Sequence, residues 1–335
     1  MMIAGSLPKI VVSYEPTPGF VEELRNEFPK LDIKFASSSV DQLNEIQDAD
    51  VYVGWISQEV FQRAKSLKWI QVPGTGVDRI LGHEIDDVGN VKQSSLVNSD
   101  VIVTNCRGAH AEPMANHVMG MVVALAHQFP RIYEDQKQHK WDTSSYHKQL
   151  RDLTGAKMGI FGLGDIGLAV AKRAHAFGMH VIAVDVHSER EIPQYIEELW
   201  TPAKLEDLLR VSDWLVVTTP LTPDTKGALS GSQINIIKHG AFLVVISRGG
   251  IVDEDALVDA LRSGRLSGAS LDATDVEPLP NDSPLWDIDN LIISPHVSAE
   301  TPCTFQGRAD VIKENLRRYL RGEEFIYVCD KKAGY

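Results

Sequence analysis

Cysteine is scarce. Cys106, Cys303 and Cys329 are scattered through 335 residues and odd in number, which excludes a disulfide framework and offers no spacing suited to a metal knuckle. Reduced thiols in a cytoplasm are the expectation. Positive charge is short as well: 33 basic against 46 acidic side chains give a net charge of -13, and no Lys/Arg run forms the stripe that a phosphate backbone attracts. Nucleic acid is therefore not an expected partner. Long apolar runs are missing too. Stretches such as "AFLVVI" fall far below the roughly 20 residues that span a bilayer, and "MMIAGSLPKIVVSYE" has no basic leader ahead of an apolar stretch. A soluble, unexported, cytoplasmic protein without membrane contact is expected. What remains is ordinary globular composition, 43% hydrophobic and 24% charged, in a chain long enough for two lobes with separate cores.

Strand-like and helix-like segments alternate through the first hundred residues: "KIVVSYE", "GFVEELRNEF", "DIKFA", "DVYVGWIS", "QEVFQRAKSL", "KWIQVPG" and "VIVTNC". Such alternation builds an α/β lobe, a parallel sheet flanked by helices. A helix from Ala111 follows, with Met114, Val118, Met121, Val122 and Leu125 at helical spacing. The polar stretch from Tyr133 to Asp152 reads as a connector. A second, better patterned series runs from "KMGIFG" through "HVIAVD", "DWLVVTTP", "AFLVVIS" and "GASLDA" to "NLIISPH". A last helix, about Thr304 to Arg321, carries Phe305, Ala309, Ile312, Leu316 and Leu320 along one face. It is expected to pack back across the lobe boundary, with no further regulatory domain after it.

The second series opens on "MGIFGLGDIG", where Gly162, Gly164 and Gly167 form G-x-G-x-x-G directly after a strand and at the start of a helix. Gly162 permits a tight turn, Gly164 lets the backbone approach a pyrophosphate, and Gly167 lets helix and strand pack closely. The amides of Asp165 and Ile166 then face phosphate at the helix N-terminus. Asp185 ends the next strand, 18 residues after Gly167, where a carboxylate meets ribose hydroxyls. Because a carboxylate repels a 2′-phosphate, NAD is favoured over NADP. His187 and Arg190, close by, soften that preference.

Three later stretches, "VVISRGGIVDEDAL", "SLDATDVEPLP" and "IISPHVSAET", each leave a strand with one chemically capable side chain: Arg248, Glu277 and His296. In an open α/β sheet, ligands sit outside the carboxyl ends of the strands, so these residues share one edge. A lone histidine after a strand is more often a cap than a catalyst. Three such groups beside a dinucleotide loop reverse those odds.

The order and spacing of "LKWIQVPGTGVD", "VTNCRGAHAEPMANHVMGMVVALA", "GIFGLGDIG", "TTPLTPDT", "SRGGIVDEDAL" and "LDATDVEPLPNDSPLWDIDNLIISPH" resemble the NAD-dependent, D-isomer specific D-2-hydroxyacid dehydrogenase family over nearly the whole chain. The resemblance implies two Rossmann-like or flavodoxin-like lobes, with the nucleotide-binding lobe (105–299) inserted into a split substrate lobe (1–104 and 300–335). It implies an oxidoreductase interconverting a 2-oxo acid and a D-2-hydroxy acid. His296 would be the acid/base, Glu277 its partner fixing the tautomer, and Arg248 the cation for substrate carboxylate and carbonyl. Backbone amides of Thr75, Gly76 and Val77 would clamp the carboxylate. Thr218, Thr219 and Pro220 would lie near the nicotinamide, and Asp272 would bind its carboxamide. A homodimer is implied by the same analogy, with Trp141 and Tyr146 in the arm reaching the partner.

The sequence departs from the family at several points. Asn116 follows Ala115 where relatives carry Glu, Val245 or Ile246 replaces a usual asparagine, and Val297, Ser298 and Ala299 follow the histidine. Substrate identity is what these changes affect. Trp55 and Ile56 are the expected pocket wall, with core packing as their alternative. Glu277 argues against formate oxidation, where glutamine stands in its place. A phosphite-type dehydrogenase and an NAD-sensing corepressor are the competing readings.

Overall fold

A computed structural model describes residues 7–82, 84–85, 91–92 and 94–335. The chain forms two compact units, one containing the residues up to His110 together with Glu300–Tyr335, the other Ala111–Ala299. The first crossing thus falls after His110 rather than after residue 104. Local bonding explains the difference. Cys106 donates its amide to Gly74 O, Asn105 donates its side chain to Thr75 O, and His110 Nδ1 lies 2.8 Å from Cys106 O, so 105–110 stay with the first unit.

In that unit β1 (Lys9–Val12), α1 (Phe20–Glu27), β2 (Asp32–Phe35), α2 (Ser39–Glu45), β3 (Val51–Val53), α3 (Gln58–Arg63), β4 (Trp69–Gln71) and α4 (Asp78–Leu81) alternate. Helices α2 and α3 start where they do because Ser38 and Ser57 accept the amides of Asp41 and Val60. A small antiparallel hairpin, β5 (Glu84–Ile85) and β6 (Val91–Lys92), precedes β7 (Ile102–Thr104). The sheet order is β2-β1-β3-β4-β7, every pair parallel. Strands β3 and β4 are buried at every position, as a sheet covered on both faces requires.

The second unit begins with α5 (Ala111–Ala126) and α6 (Phe129–Lys137). It continues with β8 (Lys157–Phe161), α7 (Asp165–Ala176), β9 (His180–Val184), β10 (Glu198–Trp200), α8 (Leu205–Val211), β11 (Trp214–Val217) and α9 (Gly231–Ile236). The last elements are β12 (Phe242–Val245), α10 (Glu254–Arg262), β13 (Gly268–Leu271) and β14 (Leu291–Ile293). Seven parallel strands lie in the order β10-β9-β8-β11-β12-β13-β14. The chain moves outward from β8 to β10 and then returns to β11 on the other side of β8. This reversal opens a crevice at the carboxyl ends of β8 and β11.

Met114, Val118, Val122 and Leu125 of α5 are buried with β8, β11 and β12 in one core, joined by Met119 rather than Met121. The first residues of the expected connector are helical, because α6 extends to Lys137, with Pro130 in its first turn. The arm beyond it is pinned by the Tyr146 hydroxyl, which donates to Asp135 at 2.7 Å, while Trp141 is 97% exposed.

After the second unit the chain re-enters the first as α11 (Pro302–Arg321), capped by Thr301 and ended by Gly322 in the left-handed region. Ala309, Ile312 and Leu316 are buried as its apolar spacing predicts, but so are Thr304, Arg308 and Asn315. Asn315 Nδ2 donates to Gln71 Oε1 at 2.8 Å, and its Oδ1 accepts the Ile326 amide at 2.9 Å. Gln71 Oε1 also accepts from Thr104, whose Oγ1 accepts from Trp69 Nε1, each at 2.8 Å. Four buried polar side chains thus join β4, β7 and α11. All three cysteines are free thiols; Cys106 and Cys329 are buried and Cys303 is exposed. Burial pushes the Cys106 and Cys329 thiols up to about 12. Among the described residues no helix is long and apolar enough to cross a membrane, and no group of three or more His, Cys, Asp or Glu is placed to hold a metal ion.

Two stability predictions follow. Asn315→Ala leaves the Ile326 amide and one Gln71 lone pair unpaired, so urea unfolding should show a loss of about 1–3 kcal/mol; an unchanged midpoint would reject the network's role. Asp213, which leads into β11, carries a carboxyl shielded by burial, yet the Lys157 amide and the Lys238 ammonium outweigh that shielding and hold it below the ordinary range. A depressed folded-state value stabilises the fold at neutral pH, and the gain disappears as pH falls below about 3.8. Asp213→Asn should therefore cost Tm at pH 7 and progressively less as pH falls below about 3.8, and a pH-independent cost would contradict the assignment.

Candidate active site

The glycine loop lies at the sheet's reversal. Gly162, just after β8, has φ +99, and a Cβ there would sit 2.6 Å from the Thr219 amide at the exit of β11. Gly167 in the first turn of α7 faces the Gly162 carbonyl, which a Cβ would meet at 2.3 Å. Both are closed to any side chain. Gly164 is different: it is the N-cap of α7 with no side-chain cap, and a Cβ there would meet nothing within 4 Å. The open backbone and the helix N-terminal amides of Asp165 and Ile166, with no side-chain cap, make the kind of donor set a pyrophosphate accepts. Asp185 ties the next strand to this loop, its Oδ2 accepting the Leu163 amide at 2.6 Å and its Oδ1 the His187 amide at 2.9 Å. Arg190 donates to Leu163 O. From β11, the Thr218 hydroxyl donates to Gly162 O, Thr219 is buried, and Pro220 O accepts from Thr225 at 2.6 Å.

Strands β12, β13 and β14 deliver the remaining candidates to the same edge. Arg248 follows β12 and donates to Ser247 O at 2.8 Å. Glu277 lies in the loop after β13. His296 follows β14 and Pro295, with φ +56, a left-handed state uncommon outside glycine. Its Nδ1 lies 3.0 Å from both oxygens of Glu277. The carboxylate therefore fixes the Nδ1 proton, and Nε2 has no hydrogen-bond partner among the described residues. One ring nitrogen is held while the other is available to give or take a proton.

Asp272 holds this turn in place. Its Oδ1 accepts the Ser294 hydroxyl at 2.5 Å and the Val297 amide at 3.0 Å, and its Oδ2 accepts the Ser298 amide at 3.1 Å. The residues on either side of His296 are thus bound to one buried carboxylate. His117 of α5 completes the set, with Nε2 at 3.1 Å from Ser294 Oγ. Sequence reasoning missed His117 and Ser294. Their only signals are one polar residue on an apolar helix and one in an apolar strand end. Ala115 is buried in the core and Asn116 accepts from Arg173 Nε at 2.8 Å, so the departure from the family at 116 is met by a surface bond.

In the first unit, the Thr75, Gly76 and Val77 loop follows β4, anchored by Gly74 O and Thr75 O as described. Thr75 Oγ1 is buried without a partner among the described residues. Trp55, 43% exposed, lies against Gly74 and meets the Tyr14 ring edge-on at 5.0 Å. Ile56 is core, 4% exposed and packed with β3 and β4. The buried Arg308 guanidinium donates to the Tyr14 hydroxyl at 2.9 Å, to Glu300 at 2.9 Å and to His110 Nε2 at about 3.1–3.2 Å, a set with no sequence signature.

Residues 119–298 match the family model described as the D-isomer specific 2-hydroxyacid dehydrogenase, NAD binding domain. The chain belongs to this dehydrogenase family. It is 31% identical over 319 residues to a D-3-phosphoglycerate dehydrogenase of Methanocaldococcus jannaschii, covering 94% of this chain and 58% of that protein. To a glyoxylate reductase of Korarchaeum cryptofilum it is 31% identical over 288 residues, covering 84% and 82% of the two chains. The crystal structure of an NADPH-dependent glyoxylate/hydroxypyruvate reductase from Sinorhizobium meliloti, in complex with NADP and sulfate, superposes with a TM-score of 0.83 at 26% identity over 98% of this chain and 100% of that one. The chain spans little more than half the length of the phosphoglycerate dehydrogenases it matches. A nicotinamide cofactor fits these residues: the backbone is open at Gly164 and closed at Gly162 and Gly167.

Gly164→Ala should leave the protein folded, since the space is open, yet weaken NADH binding by about tenfold or more by crowding the phosphates. NADH fluorescence titration checks this, and wild-type affinity in that variant would move the pyrophosphate away from the loop.

Proposed function

We propose that the chain interconverts a 2-oxo acid and a D-2-hydroxy acid with a nicotinamide cofactor. The observation that carries this reading is the His296–Glu277 pair, Nδ1 at 3.0 Å from both carboxylate oxygens with Nε2 unengaged, on the sheet edge where the glycine loop sits. When bound, a nicotinamide would provide the hydride that reduces the carbonyl carbon. As that carbon is reduced its oxygen becomes alkoxide-like and needs a proton, which His296 gives from Nε2 in reduction and takes back in oxidation. Glu277 stabilises the imidazolium and keeps the ring from rotating. Arg248, a permanent planar cation, binds the substrate carboxylate and polarises the carbonyl. In the first unit the amides of Thr75, Gly76 and Val77 offer donors of the kind a carboxylate accepts. Asp272, with one lone pair left on Oδ2 after its protein bonds, would hold the nicotinamide carboxamide. Thr218, Thr219 and Pro220 would help hold the nicotinamide.

NADH is preferred over NADPH in this reading. Asp185 keeps its carboxylate at the end of β9 through two amide bonds, where a 2′-phosphate would meet like charge. Arg190 is engaged with Leu163 O. The protein works in the cytoplasm as a homodimer through the arm that carries Trp141 and Tyr146, and sedimentation tests that association.

Turnover settles the class: NADH oxidation followed by absorbance against glyoxylate, hydroxypyruvate, pyruvate, phenylpyruvate and 2-oxoisocaproate, with NADPH in parallel. One strong substrate and a D product on chiral chromatography are expected. His296→Ala should lower kcat by about a hundredfold or more with NADH affinity unchanged, and near-normal turnover would return His296 to a structural role. Tight NADH binding with no turnover would favour the cofactor-sensing reading.

A further inference from the structure

The loops that carry Arg248 and Glu277 cross backbone to backbone. A Cβ at Gly249 would lie 2.2 Å from Thr274 O and 2.5 Å from the Asp275 amide nitrogen, so no side chain fits where they meet. Gly250, the next residue, has φ +78. Two consecutive glycines are the most conformationally free link a chain can place beside a binding group, and left alone they would let Arg248 wander. Two carboxylates prevent this. Asp275 Oδ1 accepts the Gly250 amide, and Glu254 Oε1, in the first turn of α10, accepts the Asp275 amide at 2.7 Å. The helix is itself anchored, because Asp253 caps it by accepting the Ala256 amide at 3.0 Å. On the far side of the crossing the Thr274 amide donates to Glu277 Oε1 at 3.3 Å, one of the two oxygens that hold His296. The Thr274 hydroxyl donates to Val276 O at 2.9 Å and stiffens the same loop.

We infer that Glu254 and Asp275 are positioning residues that set the place of Arg248 relative to the Glu277–His296 pair, and through it the place of the substrate carboxylate relative to the proton donor. The inference rests on the functional reading given above. Neither carboxylate reaches the reacting groups; each acts through a backbone amide. Arg248 must hold the carboxylate while His296 meets the carbonyl oxygen a few bonds away, so a small drift of one loop against the other misaligns both contacts at once.

Glu254→Ala removes the acceptor, whereas Glu254→Gln keeps an oxygen for the Asp275 amide. In the alanine variant KM for the preferred 2-oxo acid should rise about tenfold or more with a fall in kcat, while NADH affinity by fluorescence stays at the wild-type value. The glutamine variant should restore both parameters. Hydrogen–deuterium exchange on the same proteins, without substrate, should show 248–252 and 274–277 exchanging faster together in the alanine variant only. Wild-type kinetics in folded Glu254→Ala, failure of glutamine to restore them, or unchanged exchange in both loops would each overturn the inference. If the wild-type protein reduces no 2-oxo acid, the functional reading fails, and the exchange experiment then decides the clasp alone: joint acceleration keeps it and no change removes it.

Discussion

Every strand of the second unit runs in the same direction, so whatever leaves a carboxyl end emerges on one edge. That constraint gathers Gly162, Asp185, Thr218, Arg248, Asp272, Glu277 and His296 from six strands and more than a hundred residues of sequence. Gathering is not the same as holding. The loops at such an edge have no sheet partners, and here carboxylates supply them. Asp185 takes the Leu163 and His187 amides, Asp272 those of Val297 and Ser298, Asp275 that of Gly250, Glu254 that of Asp275, and Glu277 that of Thr274. Ionised acceptors make stronger bonds to backbone N–H than neutral ones. Part of the acidic excess thus serves as internal fastening, with no bearing on partners.

The first unit solves a different problem, since its last helix arrives only after the chain has built the second unit. Apolar residues alone would let α11 settle in several registers. Asn315, Gln71, Thr104 and Trp69 form a hydrogen-bonded set that one register satisfies. Arg308, two turns earlier on the helix, binds His110 and Glu300, the residues at which the chain leaves and rejoins this unit. Both strand-to-helix alternations and the helix itself are legible in the pattern of apolar residues, whereas these anchors are polar residues on an apolar face and carry no period.

The same division separates what the sequence reveals at the site from what it conceals. The glycine loop is legible because backbone sterics leave no other residue at Gly162 or Gly167, and His296 because a proline-terminated strand gives a titratable ring few structural duties. Asp272 is legible as a site residue, but its bonds to Ser294, Val297 and Ser298 depend on the register of β13 beside β14. Glu254 and Asp275 meet only after a helix and a strand have been placed, and His117 reaches Ser294 across 177 positions of sequence. Strand β10 and helix α6 went unseen for a simpler reason: three residues, or nine rich in charge, do not show a hydrophobic rhythm.

The distribution of sulfur has a practical outcome. A thiolate is the reactive form of cysteine, and two of the three thiols, pushed up to about 12, hold almost none of it at neutral pH and lie beneath the surface. Cys303, in the first turn of α11 and open to solvent, is left as the one exposed thiol for a thiol-directed electrophile. A maleimide dye added to the native protein would mark one defined atom, three residues past Glu300, without any cysteine having to be engineered in or out.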